Sequence, residues 1–337
     1  MMERTAWEAR KEEKGSTAMS VGLPQEALEV NVMTKTMEHT EERVLAGKMV
    51  HLKNILVGTD FSAASDRALD YAISLARRYE SKIFLAHVMT SDTNVMLPPE
   101  VIAETEQIAS RTAEEAMGEI LISGRLRDVP HETVFAHGLF WATMEGLVAK
   151  HHIDLVVVGT HGAGGLKKVL LGSGAEQVFR QAKGPVLTVG PAVRGDAPRE
   201  AEFKNILFAT DFGLGAEREA AYAFSFAQEH QANLTLLHVV RDAEDYSEKG
   251  LALKREAIVH ELAELVPPSG ELWCHPEFRM RLGEPVEEIL EVAREMKADL
   301  IVIGAKRGKG TAIGHERGTT AYRVVCGAPC PVLTVRS

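Results

Sequence analysis

Apolar residues along this chain fall into two kinds of run, and the two kinds alternate. Short runs, apolar at most positions and rich in β-branched side chains, lie at Asn54–Val57, Ile83–Val88, Glu132–Ala136, Leu155–Val158 and Val186–Val189. That pattern predicts parallel strands covered on both faces. Between them lie segments of helical length. From Ser62 to Tyr79, apolar residues recur at Ala68, Leu69, Ala72, Ile73, Leu75 and Ala76 with charges opposite, and Ser62 is a good capping residue. Pro99–Ser123 predicts a long Glu-rich helix and Trp141–His151 another. Strand and helix in alternation predict an α/β domain, a parallel sheet with helices on both faces. Right-handed crossovers restrict it to a doubly wound sheet of five strands.

The pattern then starts again. Lys53-Asn54-Ile55-Leu56 recurs as Lys204-Asn205-Ile206-Leu207, each followed by Thr-Asp-Phe at 59–61 and 210–212, and His87-Val88 recurs as His238-Val239. These share an offset of 151. Asp154-Leu155 recurs as Asp299-Leu300 at an offset of 145, and Pro185–Val189 recurs as Pro331–Val335 at 146. Four matches in one order mark a tandem repeat. The expected organisation is a tail at 1–50, a first domain at 51–191, a polar linker at 192–202 and a second domain at 203–337. The tail holds six of the 12 methionines with no steady period, and reads as a mobile segment or a start codon set too early, rather than a third domain. The edge strands Val186–Val189 and Val332–Val335 are the expected seam between the domains, since bare apolar edges invite aggregation.

Composition narrows the function. Apolar residues make up 45% and charged residues 26%, as in globular proteins. No apolar run approaches a bilayer span, and the first residues lack the apolar core of a secretory signal, so a cytoplasmic protein is expected. A net charge of −10 argues against nucleic acid as a partner. It does not argue against a small anion held by backbone N–H groups. Cys274, Cys326 and Cys330 are too few for a disulfide framework and lack companion metal ligands, so they are expected as reduced thiols.

One loop carries chemistry. After the fourth strand comes Gly159-Thr160-His161-Gly162, then nine residues, then Gly172-Ser173-Gly174 opening a helix. In open parallel sheets, ligands sit at the carboxyl ends of strands where the winding reverses. Glycines there let the backbone approach a ligand, and a helix start directs N–H groups and its dipole at an anion. The spacing G-x2-G-x9-G-S is neither a Walker A loop nor G-x-G-x-x-G.

On these residues the chain resembles a tandem universal stress protein, over about 53–190 and 203–336. The resemblance implies a Rossmann-like, adenine-nucleotide-binding fold for both repeats, with ATP, ADP or AMP as ligand and Mg2+ as companion. Thr59, Asp60, Val88, Val158, Gly159, Gly162, Gly172, Ser173 and Gly174 would form the site: Asp60 on adenine and ribose, the Val88 backbone on the adenine edge, Gly162, Gly172 and Ser173 on phosphates. Asp60 has a second reading as a helix cap beside Ser62. In the second repeat Asp211, Val239, Gly304, Gly308, Gly318 and Thr319 correspond. There, one residue is inserted between the first two glycines, and Arg307 stands in place of Gly162. A working site is therefore expected in the first domain, beside a mainly structural second one.

No Ser-His-Asp set, paired carboxylates or metal cluster is evident, and catalysis by His161 is not expected. His87 and His238 are expected to bond neighbouring backbone. The chain reads as a binding and regulatory protein of the stress response, with an intramolecular pseudo-dimer and room for a homodimer of whole chains. Two alternatives stay open: a slow nucleotide hydrolase or nucleotidyl-transfer enzyme of the same fold, and an interaction module without nucleotide.

Overall fold

The structure is a computed structural model that describes residues 50–90, 98–160, 171–193, 203–241, 247–267, 276–305 and 319–336. The expected tail to residue 49 and linker residues 194–202 lie outside these. The first repeat runs β1 (Asn54–Gly58), α1 (Ala63–Tyr79), β2 (Lys82–Met89), α2 (Pro99–Ile122), β3 (His131–His137), α3 (Phe140–His151), β4 (Leu155–Gly159), α4 (Ser173–Gln181) and β5 (Val186–Val189). The second runs β6 (Asn205–Ala209), α5 (Ala216–His230), β7 (Asn233–Val240), α6 (Glu248–Glu264), β8 (Glu277–Leu282), α7 (Pro285–Glu295), β9 (Leu300–Gly304), α8 (Thr320–Gly327) and β10 (Val332–Val335).

Local chemistry sets the element ends. Ser62 caps α1, its hydroxyl accepting from the Ser65 amide at 3.2 Å, and Glu80 ends the helix in the left-handed region at φ 54°. Ahead of β1, Asp154 Oδ2 accepts from the amides of Lys53 and Asn54 at 2.8 and 2.9 Å. Asp299 repeats this clamp on Lys204 and Asn205, both at 2.9 Å. The repeated Asp-Leu pair thus ties the start of each first strand to the start of the fourth.

Within each repeat all strand pairs are parallel, in the orders β3-β2-β1-β4-β5 and β8-β7-β6-β9-β10. Among the described residues the two sheets join into one of ten strands through a single antiparallel pair, β5 with β10. This is the expected seam. Leu187 faces Leu333, with Thr188 opposite Val332 and Val186 opposite Thr334. Leu187 and Leu333 are counterparts at the 146 offset, so a local twofold axis passes between them.

Alternate strand residues feed two core layers that run through both repeats. Ile55, Val57, Leu155 and Val157 pack under α1, α2, α5 and α6. Leu56, Val156 and Val158 pack on the other face against α3, α4, α7 and α8. The expected cover on both faces does not hold for every strand. β3 is not covered on both faces: as an outer strand, most of its residues are exposed or half-buried, and β8 at the other end has no buried residue. Edge strands lack a neighbour and a full helical cover, so their apolar runs are interrupted by Glu132, Arg279 and Arg281.

Candidate functional site

In each repeat the winding reverses beside the first strand: β2 and β3 lie to one side, the fourth and fifth strands to the other. The carboxyl ends of β1 and β4, and of β6 and β9, therefore border the two crevices where this architecture binds ligands.

The loop after β1 has an unusual backbone. Phe61 sits at φ 60°, and its counterpart Phe212 at 55°. A bulky residue in the left-handed region costs on the order of 1–3 kcal/mol and needs support. Support is duplicated. The Phe61 amide donates to Thr59 Oγ1, and the Phe212 amide to Thr210 Oγ1, both at 3.0 Å. Asp60 Oδ1 accepts from the Ser62 amide, and Asp211 Oδ1 from the Gly213 amide, both at 3.0 Å. His87 Nδ1 donates to the Thr59 carbonyl and His238 Nδ1 to the Thr210 carbonyl, both at 2.9 Å. Their rings lie 4.6 and 4.5 Å from those of Phe61 and Phe212. The two histidines have the backbone-bonding duty expected of them, and Ser62 rather than Asp60 caps the helix. Sequence reading missed Phe61 and Phe212 as structural keys; their signal was the repeated Thr-Asp-Phe.

On β2, the Thr59 amide donates to the Ala86 carbonyl at 2.9 Å, while the Met89 carbonyl accepts from Gly138 on the β3 side at 3.1 Å. Backbone groups alternate sides along a strand, so Val88 presents its N–H and C=O toward β1, where β1 has already ended. Val239 on β7 is placed the same way, because the Thr210 amide bonds the Leu237 carbonyl and the Gly283 amide bonds the Val240 carbonyl.

Gly159 ends β4, and a Cβ there would lie 2.2 Å from the Ala64 carbonyl oxygen and 2.7 Å from the Ser65 nitrogen. Its missing side chain admits the first turn of α1. Val158 beside it is buried. The loop from 161 to 170, with His161 and Gly162, lies outside the described residues. On its far side Gly172 precedes α4 without a side-chain cap, and Ser173 is the exposed first helical residue. The first bond of α4 runs from the Glu176 amide to the Gly172 carbonyl, so the N–H groups of Ser173, Gly174 and Ala175 lie outside the helical ladder. Gly174 gives Phe140 room, a Cβ there being 3.2 Å from its ring.

The second crevice holds a cavity of about 380 Å³ whose lining includes Thr210, Asp211, Glu219, Val239, Gly304 and Thr319. The structure thus gathers Asp211, Val239, Gly304 and Thr319 around one space, while Gly308, Gly318 and the basic loop with Arg307 lie outside the described residues. Two features differ from the first repeat. α5 starts at Ala216, two positions later than its counterpart, because Gly213-Leu214-Gly215 replaces Ser62-Ala63-Ala64. And Gly304 is covered by the Glu219 carboxylate, whose Oε1 lies 2.1 Å from where a Cβ would be. Thr319 caps α8, its Oγ1 accepting from the Tyr322 amide at 3.3 Å.

The model of the universal stress protein family matches residues 51–190 and 202–336. The chain belongs to that family. A universal stress protein of Mycolicibacterium smegmatis is 30% identical over 84% of this chain and 96% of its own length. The crystal structure of a universal stress protein from Archaeoglobus fulgidus DSM 4304 covers 84% of this chain and 98% of its own, at 23% identity and a TM-score of 0.61, a likeness of fold. A universal stress protein from Archaeoglobus fulgidus solved in complex with dAMP covers 40% of this chain and 98% of its own, at 20% identity and a TM-score of 0.31.

Other chemistry in this universal stress protein is quiet. Burial pushes the thiols of Cys326 and Cys330 above the ordinary range. Cys274 lies outside the described residues. Among the described residues, no group of three His, Cys, Asp or Glu could hold a metal ion, and no helix is long and apolar enough to cross a membrane.

Proposed function

We propose that this chain binds an adenine nucleotide in the crevice of its first repeat and acts as a regulatory protein of the stress response. The observation that carries the reading is the pairing, at one winding reversal, of an open strand edge with an open helix start. Val88 offers a donor and an acceptor past the end of β1, matching the mixed edge of adenine. Asp60 is exposed at the end of β1 and can accept from a ribose hydroxyl. The first turn of α4 has no side-chain cap, so its amides and dipole, with Gly172 and Ser173 at its start, suit phosphates.

The second repeat keeps the strand edge at Val239 and has room in its cavity. At its helix start Thr319 takes up the Tyr322 amide, leaving one donor fewer than in α4, and Arg307 replaces the loop glycine, so we read it as the weaker site. Mg2+ would come with the phosphates, since it usually keeps several waters and few protein ligands. No described residue is set up as a general base, which favours binding over hydrolysis.

The test is thermal unfolding with and without ATP and Mg2+. A ligand at 100 times its dissociation constant stabilises by about 2.7 kcal/mol. Asp60→Ala or Ser173→Ala is expected to reduce that shift. An unchanged melting temperature at millimolar ATP would sink the reading and leave the interaction module in its place.

A further inference from the structure

Counterpart residues of the two repeats meet across the seam, and where they meet they are unlike. Arg78 at the end of α1 has as its counterpart Glu229 at the end of α5, at the 151 offset. The two form an ion pair, Arg78 Nε to Glu229 Oε1 at 3.3 Å, and the Arg78 guanidinium also donates to the Glu229 carbonyl. Beside them Tyr79 packs against its own counterpart, His230, with ring centroids 6.0 Å apart. The local twofold axis therefore brings position 78 to position 229 and position 79 to position 230.

The opposite face of the sheet has a second mismatch. Arg336, after β10, is the counterpart of Gly190, after β5, at the 146 offset. Arg336 is 5% exposed; it donates to the Phe179 carbonyl at the end of α4 and lies 5.9 Å from that ring. Gly190 lies against the Val325 carbonyl, which a Cβ would approach to 3.3 Å. Val325 is the counterpart of Phe179. The same spot on each partner helix thus receives a buried arginine on one side and bare backbone on the other.

We infer that this seam is built for one partner, the unlike repeat, and that it rejects a second copy of either repeat. A first repeat paired with a first would set Arg78 against Arg78 and leave Gly190 beside both helix ends. A second paired with a second would set Glu229 against Glu229 and bury two arginines. Selection here works through repulsion and lost partners in the wrong pairs as much as through attraction in the right one. Its consequence for function is a fixed ratio: the two non-identical crevices are held one to one, within a chain or between exchanged chains.

Two measurements test this. The first is a cycle on the intact chain, with Arg78→Glu, Glu229→Arg and the double variant followed by melting temperature. Each single change is expected to lower it, and the double change to recover most of the loss; losses that simply add overturn the proposal. In the second, a protease site is placed in the 194–202 linker and cut after folding. The nicked protein is incubated and its pairs are weighed by native mass spectrometry. Unlike pairs are expected to exceed like pairs at least about tenfold in the wild type, the ratio set by 1.4 kcal/mol, and like pairs are expected to rise in nicked Arg78→Glu. Equal amounts in the wild type, or no rise in the variant, overturn the proposal. If nicking makes the halves insoluble, the cycle on the intact chain decides.

Discussion

At the end of its fourth strand the first repeat sets Gly159 against the backbone of Ala64, whereas the second sets Gly304 against the carboxylate of Glu219. Both glycines end the same strand of the same fold, yet different neighbours explain them. In the first repeat the helix itself has moved in, so the glycine is a packing requirement. In the second, α5 starts later, a side chain covers the glycine, and a cavity of about 380 Å³ opens beside it. A shared motif residue can thus serve a helix in one copy and a crevice in the other.

The sharpest test of that contrast is alanine at each glycine. Gly159→Ala would drive a Cβ into fixed backbone and is expected to cost at least about 3 kcal/mol. Gly304→Ala meets a side chain that can give way rather than fixed backbone, and is expected to cost less, though still about 1–2 kcal/mol because the carboxylate it displaces is buried. Urea unfolding of the two variants reads the difference; equal losses would remove the distinction.

Saturating ATP is expected to stabilise the wild type by roughly 2–3 kcal/mol. Part of that gain should be lost in Ser173→Ala, about 1 kcal/mol for one hydrogen bond, and all of it should survive in Thr319→Ala, as followed by thermal unfolding. The reverse order would move the working site to the second repeat.

The aspartate clamps should behave alike. Asp154→Ala and Asp299→Ala each remove a carboxylate that accepts from two amides, for about 2 kcal/mol apiece. Unequal costs in urea unfolding would mean that the repeats do not share this element.

The smallest effect concerns the helix starts without ligand. Thr319→Ala removes a cap and is expected to cost about 1 kcal/mol. Ser173→Ala removes a hydroxyl that caps nothing and should leave the melting temperature of the unliganded protein within about a degree.

Much of this was legible in the residues. The β-branched runs and the amphipathic segment from Ser62 to Tyr79 located strands and helices to within a residue or two, because burial on two faces leaves few polar positions in a strand. The tandem repeat and the backbone bonds of His87 and His238 followed from recurring residues, and the seam strands from their apolar edges. The left-handed Phe61 and Phe212 did not, since phenylalanine has no preference for that region and adopts it here because Thr59, Asp60 and His87 hold it there. Nor did the exposure of β3, which depends on which strand ends at the sheet edge.

By itself, then, the sequence determined two copies of one α/β unit, with their helices and strands, all consequences of local periodicity and repeated words. The tertiary structure alone decided that Gly159 makes room for Ala64, that Glu219 lies over Gly304 beside an open cavity, and that Arg78 meets Glu229 across the seam. Those depend on groups far apart in the chain being brought within a few ångströms, where steric contact and charge act and no periodicity records them.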